Sequence, residues 1–257
     1  MNDEFYIGWE EKAPNQVRSR VRRVVVILLA LSIVLGAVLS LAQRTIGVSV
    51  FEWGKVKSFS GIFKSQPYPH LLVLRPGASD DQTLFSSYYL VKPLKFGLDP
   101  ETASRLDGKA VSLKGALIYR GGQTMIEVAD DSIKPSDVAT LQPFNGSTSS
   151  VSLGTQTLIG EIVDSKCFLG VMNPGALLPH RACAIRCISG GIPPVLLVRQ
   201  SDGPPLYLLL VSRDGKPVNK QVLNLAAEPV EISGEVERQG ELLILRADPA
   251  TYRRVLR

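Results

Sequence analysis

The sequence predicts a mainly β protein: one N-terminal transmembrane helix, then two tandem small OB-like β-barrel domains, the second with a helical Cys/His insertion. Three observations carry this. Residues 24–42 run without a charge or a proline, short apolar runs follow in two series of similar order, and all three cysteines fall in one stretch of the second series. With 257 residues and 45% apolar side chains the chain can build real cores, which excludes a disordered protein. The net charge of +5 is spread along the chain apart from one knot near the N-terminus, so bulk charge names no partner.

The apolar run VVVILLALSIVLGAVLSLA is 19 residues long, enough at the helical rise to cross about 30 Å of hydrocarbon. Lys12, Arg18, Arg20, Arg22 and Arg23 precede it, whereas Arg44, Lys55 and Lys57 follow. That bias predicts a cytoplasmic tail over 1–23, a transmembrane helix over 24–43, and the rest of the chain outside the cytoplasm. Ser40-Leu41-Ala42 looks like a signal-peptidase site, but the long leader before the run favours an uncleaved anchor. The tail DEFYIGWEEKAP mixes acids with Phe5, Tyr6 and Trp9, which reads either as a docking strip or as a frayed terminus.

Five apolar runs bounded by Pro, Gly and Asp then predict strands at Phe59 to Phe63, His70 to Leu74, Ser87 to Val91, Ala110 to Tyr119 and Thr124 to Val128. A second series has the same order: Leu158 to Val163, Val195 to Val198, Leu206 to Val211, Val230 to Val236 and Leu242 to Leu245. Each half closes on a hairpin. Between its third and fourth strands the first half has a helix signal at Pro100 to Arg105, with Asp99 as cap and proline at the first position. Lys216 to Leu225 fills the same place in the second half. Five strands with a helix before the closing hairpin resemble the OB-fold. The domains are 44–133 and 157–257, joined across 134–156, a Ser/Thr/Pro/Gly-rich linker.

The second half takes Asp164 to Pro194 to pass from its first strand to its second, where the first half needs only a few residues. This insertion, 164–194, contains Cys167-x12-His180-x2-Cys183-x3-Cys187. Arg181 to Ile188 reads as a helix ended by Gly190-Gly191, which puts His180, Cys183 and Cys187 on one face, with Cys167 or Asp164 as the further ligand. Four ligands of this kind suit zinc, and soft thiolates also suit Cu(I). The Cys-x3-Cys spacing is that of copper-delivery and dinuclear-copper sites, although here the histidine precedes the cysteines and no methionine stands in the expected place. Two other readings stay open. Outside the cytoplasm Cys167 can form a structural disulfide with Cys183 or Cys187, or the group can hold an exchanging thiol.

Other chemistries lack their signatures. No nucleophile elbow surrounds Ser165, and no P-loop, dinucleotide fingerprint or haem-attachment motif occurs. His70 reads as structural, and Asp80-Asp81 and Asp130-Asp131 read as solvated turns. An address outside the cytoplasm argues against nucleic acid as a partner, although OB-folds often bind it.

GEIVDSKCFLGVMNPG (160–175), HRACAIRCISGGIPPVLLV (180–198) and VEISGEVERQGELLIL (230–245) resemble a group of bacterial membrane-anchored envelope proteins with a Cys/His-containing, OB-like β domain. The resemblance covers mainly the second domain. It implies a bacterial membrane setting and an accessory part in redox or respiratory systems, and no reaction; with the charge bias this gives an expected address in the bacterial inner membrane, with the β domains in the periplasm. The expectation is therefore a non-catalytic accessory or assembly component of a membrane redox system, in a membrane protein complex, with zinc or copper on Cys167, His180, Cys183 and Cys187. The alternatives are a thiol-disulfide oxidoreductase and an interaction scaffold with a structural disulfide.

Overall fold

The computed structural model describes residues 12–43, 48–75, 85–136 and 150–255. The greater part of the aromatic N-terminal tail, Asp80-Asp81 and the middle of the expected linker lie outside them. The chain divides into two units, residues 1–47 and 48–257.

In the first unit, α1 (Asn15–Gln43) is a single apolar helix. It starts well before Val24, because the basic residues ahead of the apolar run are themselves good helix formers. It is the one described helix long and apolar enough to cross a membrane.

The second unit holds two closed five-stranded barrels that fit OB-like domains. After a short β1 (Ser49–Phe51), the first barrel is built from β2 (Lys57–Lys64), β3 (His70–Leu74), β4 (Phe85–Val91), β5 (Ala110–Arg120) and β6 (Gln123–Val128). Helix α2 (Pro100–Leu106) lies before β5, and β7 (Lys134–Pro135) pairs with that strand. Barrel two uses β8 (Ser150–Asp164), β9 (Pro194–Val198), β10 (Leu206–Val211), β11 (Pro229–Gln239) and β12 (Leu242–Arg246), with α3 (Arg181–Ser189) between β8 and β9 and β13 (Arg253–Arg254) beside β11. Both close the same way. The third strand runs parallel to the fifth (β4 with β6, β10 with β12), and the long fourth strand pairs with the first and the fifth. All ten strands read from the sequence are present.

The Asp99 carboxylate accepts the Thr102 amide at 2.8 Å and starts α2 as its sequence predicts. Residues Lys216 to Leu225 do not form the matching helix. Only a 3-10 turn, Leu223–Leu225, remains, because Asn219 spends its side-chain amide on Ile188 O and Ile192 O at 2.8 and 2.9 Å. The segment ties down the end of α3 instead. Both described ends of the expected linker are strand, at β7 and at the start of β8.

The barrels share a core. Tyr68, Tyr89, Ile118 and Met125 of the first pack in one cluster with Cys167, Phe168, Leu197 and Ile244 of the second. Tyr68 bridges the joint, its hydroxyl donating to Leu210 O and accepting from the Val218 amide, both at 3.1 Å.

His70 is buried at the first barrel's edge of this core, donating from Nδ1 to Tyr68 O at 2.8 Å. Burial holds its pKa down at about 4, below the ordinary 6.5. A neutral folded-state imidazole that becomes protonated on unfolding stabilises the fold fully above pH 6.5, and that contribution is lost as pH falls towards 4. We expect a loss of about 3 kcal/mol over that window, absent in His70→Gln, as measured by urea titrations at stepped pH.

Candidate metal centre

Strand β8 ends on Asp164, which is fully buried and organises the turns beyond the strand. One carboxylate oxygen accepts the Cys167 amide at 2.8 Å and so starts a π-helical turn, Cys167–Val171; the other lies 2.8 Å from His180 Nε2. The histidine closes a 3-10 turn, Leu178–His180, that leads straight into α3. Along α3, Cys183 and Cys187 are one helical turn apart and face Cys167. At the helix end the chain turns out through Gly191 at φ 99°, and the Ile192 amide returns to Cys187 O.

The three sulfurs form a triangle. Cys167 Sγ lies 3.8 Å from both Cys183 Sγ and Cys187 Sγ, and those two are 4.0 Å apart. A metal–thiolate bond of about 2.3 Å at tetrahedral angles puts neighbouring sulfurs about 3.8 Å apart, so the triangle has the size of one face of a tetrahedral thiolate site. All three are free thiols. One ring nitrogen of His180 lies within 4.8 Å of the Cys167 and Cys183 sulfurs, and an Asp164 oxygen lies within the same limit of Cys167 and Cys187. Nε2 is taken up by Asp164, and Nδ1 is the other ring nitrogen. It is buried and makes no hydrogen bond. A ligating histidine that gives its other nitrogen to a carboxylate is the usual support for a metal-bound imidazole. The Cys/His cluster could hold a metal ion: it forms two overlapping triads, Cys167 with His180 and Cys183, and Asp164 with Cys167 and Cys187, and Asp164 also binds His180.

Without metal the thiols are uneven. Cys187, hydrogen-bonded to Cys167, pushes the Cys167 thiol well up, and burial and the Asp164 charge add to this. Cys187 is lowered, first because it accepts from Cys167 and further by the Lys95 charge.

Two lysines that carry no signal in the sequence complete the site, and one of them belongs to the first barrel. Lys95 Nζ donates to Cys183 Sγ at 2.7 Å and lies 3.8 Å from Cys187 Sγ; the contact to Cys183 raises the Lys95 pKa. Its loop is pressed onto the end of α3. The Gly97 amide donates to Gly190 O at 2.9 Å, and a Cβ on Gly190 would collide with Lys95 O. Lys166, next to Cys167, runs the other way into the first barrel. Its ammonium donates to Lys92 O and Leu94 O at 2.8 Å and pairs with Glu127 at 2.5 Å. Arg120 of the first barrel also stacks over Phe168, 4.5 Å from the ring centre. The candidate centre therefore sits at the joint between the barrels.

Asp130 and Asp131 are exposed turn residues, as expected. A cleft of about 660 Å³, lined by Ile159, Leu178, Pro179, Pro229 and Val255 among others, reaches the turn that carries His180 but none of the sulfurs.

No protein-family description matches the chain, and no curated protein matches it. Solved structures similar to it include the wild-type single-stranded DNA binding protein from Thermus aquaticus and a deletion mutant of the same protein. The mutant is 11% identical, covering 83% of this chain and 97% of its own, and the wild type is 12% identical, covering 82% and 89%. The TM-score is 0.22 for each. At that score the likeness bears on neither mechanism nor ligand.

Proposed function

We propose that this is a membrane-anchored, non-catalytic metal-binding protein, and that zinc or copper is held by Cys167, His180, Cys183 and Cys187. The observation that carries the reading is the sulfur triangle, whose edges match a tetrahedral metal site and do not single out one pair for a disulfide. The fourth donor would be His180, one of whose ring nitrogens lies within 4.8 Å of the Cys167 and Cys183 sulfurs. When bound, the ion would bring a soft Lewis-acid centre into the joint, while Asp164 holds the imidazole in one tautomer and Lys95 offsets the excess thiolate charge. The apolar helix and the basic residues ahead of it support an inner-membrane anchor with both barrels on the periplasmic side. There the protein serves as an accessory or assembly component of a membrane redox complex.

Metal analysis and thiol counting on the full chain, purified in detergent without chelator, test this together. We expect about one zinc or copper per chain, lost in Cys183→Ser and Cys187→Ser. A metal-free protein with Cys167 in a disulfide would falsify it. Such a result would favour the oxidoreductase reading, for which Cys183, half-buried beside a lysine, has the surroundings of an attacking thiol.

A further inference from the structure

The four donors are not equally enclosed. Cys167, Cys187 and His180 are buried, whereas Cys183 is half-buried. The side chain lying on it is Lys95, which is exposed and comes from the first barrel. Its neighbours on the loop, Leu94 and Phe96, are 78% and 54% exposed, and Leu94 is held at φ 62°. Cys183 is thus the most exposed of the four donors, and among the described residues the Lys95 ammonium lies against it.

We propose that the centre is an exchange site: the ion enters and leaves past Cys183, Lys95 is the gate, and the molecule that delivers or takes the ion offers a soft sulfur donor. This rests on the metal reading above. In the exchange step the incoming thiolate or thioether binds the ion as the Cys183–metal bond breaks, while Cys167, Cys187 and His180 keep their bonds. The ion does not change oxidation state. The freed Cys183 sulfur stays within reach of the Lys95 ammonium, which donates to it at 2.7 Å. Three thiolates in one site favour a thiophilic ion and, by the same chemistry, a sulfur-bearing partner. The exposed Leu94 and Phe96 beside the gate give that partner an apolar footing.

The test is metal extraction from the full chain in detergent, loaded with Zn(II) and mixed with a large excess of a colorimetric pyridylazo chelator. We expect the extraction rate to rise in proportion to chelator concentration. Lys95→Met should raise it about tenfold and Lys95→Arg should stay within about twofold of the parent, each checked for an unchanged circular dichroism spectrum. Lys95 is exposed, so these variants should fold. A rate independent of chelator and unaltered in Lys95→Met describes a closed structural metal and overturns the proposal. A chain that takes up neither Zn(II) nor Cu(I) overturns the metal reading itself, and does so before extraction begins.

Discussion

Lys166→Met should destabilise the β unit by about 3–5 kcal/mol, the usual cost of breaking a buried ion pair from one side. The Lys166 side chain is 2% exposed and its Glu127 partner 13%. All three ammonium protons are in use, on Glu127 and on the carbonyls of Lys92 and Leu94. Methionine fills much the same volume but donates nothing, so a nearly buried carboxylate and two carbonyls are left without a donor. Adding Glu127→Leu should restore most of the loss, because the pair as a whole is worth far less than the penalty for leaving half of it. Urea unfolding of the full chain in detergent, followed by circular dichroism, measures both. Because the core runs through both barrels, the loss should appear as a shift of one transition. A loss in Lys166→Met below about 1 kcal/mol would mean that Glu127 finds water there, and that the joint is looser than its hydrogen bonds imply.

The sequence was most informative where one strand or one turn of helix suffices to position a residue. Ten strands, the Asp99 cap and the Cys/His spacing are local patterns, and the structure contains all of them. The start of β8 was hidden because Ser150 to Thr157 is exposed on both faces, so no alternation marks it as strand. The helix expected at Lys216 to Leu225 failed for the opposite reason: a tertiary contact, from Asn219 to the end of α3, outweighed local propensity. Nothing in the sequence points to Lys95 or Lys166. Each is an ordinary lysine whose partner lies in the other barrel, at separations of 88 residues for the Cys183 contact and 74 for Lys92 O. The shared core is not legible in the sequence, since strand patterns show which face is apolar but not what covers it.

Removing metal from the loaded protein should lower its melting temperature by about 10 °C. A ligand at a thousandfold excess over its Kd stabilises the folded state by about 4 kcal/mol, and for a unit of this size each kcal/mol is worth about 2–4 °C. Differential scanning fluorimetry of the full chain, with added Zn(II) and then with excess chelator, reads this directly. The serine variants separate liganding from packing. In chelator, Cys167→Ser and Cys187→Ser should cost about 1–3 kcal/mol, because each places a hydroxyl in a buried position shaped for sulfur, while half-buried Cys183→Ser should cost little. With Zn(II) the order changes, and all three should lose most of the metal-induced rise, because in the proposed site every vertex of the triangle would carry one bond to the ion. If Cys183→Ser kept the full rise, Cys183 would not be a ligand, and the half-open position would belong to water or to a partner's donor. A melting temperature that ignores both Zn(II) and chelator would leave the triangle as packing alone.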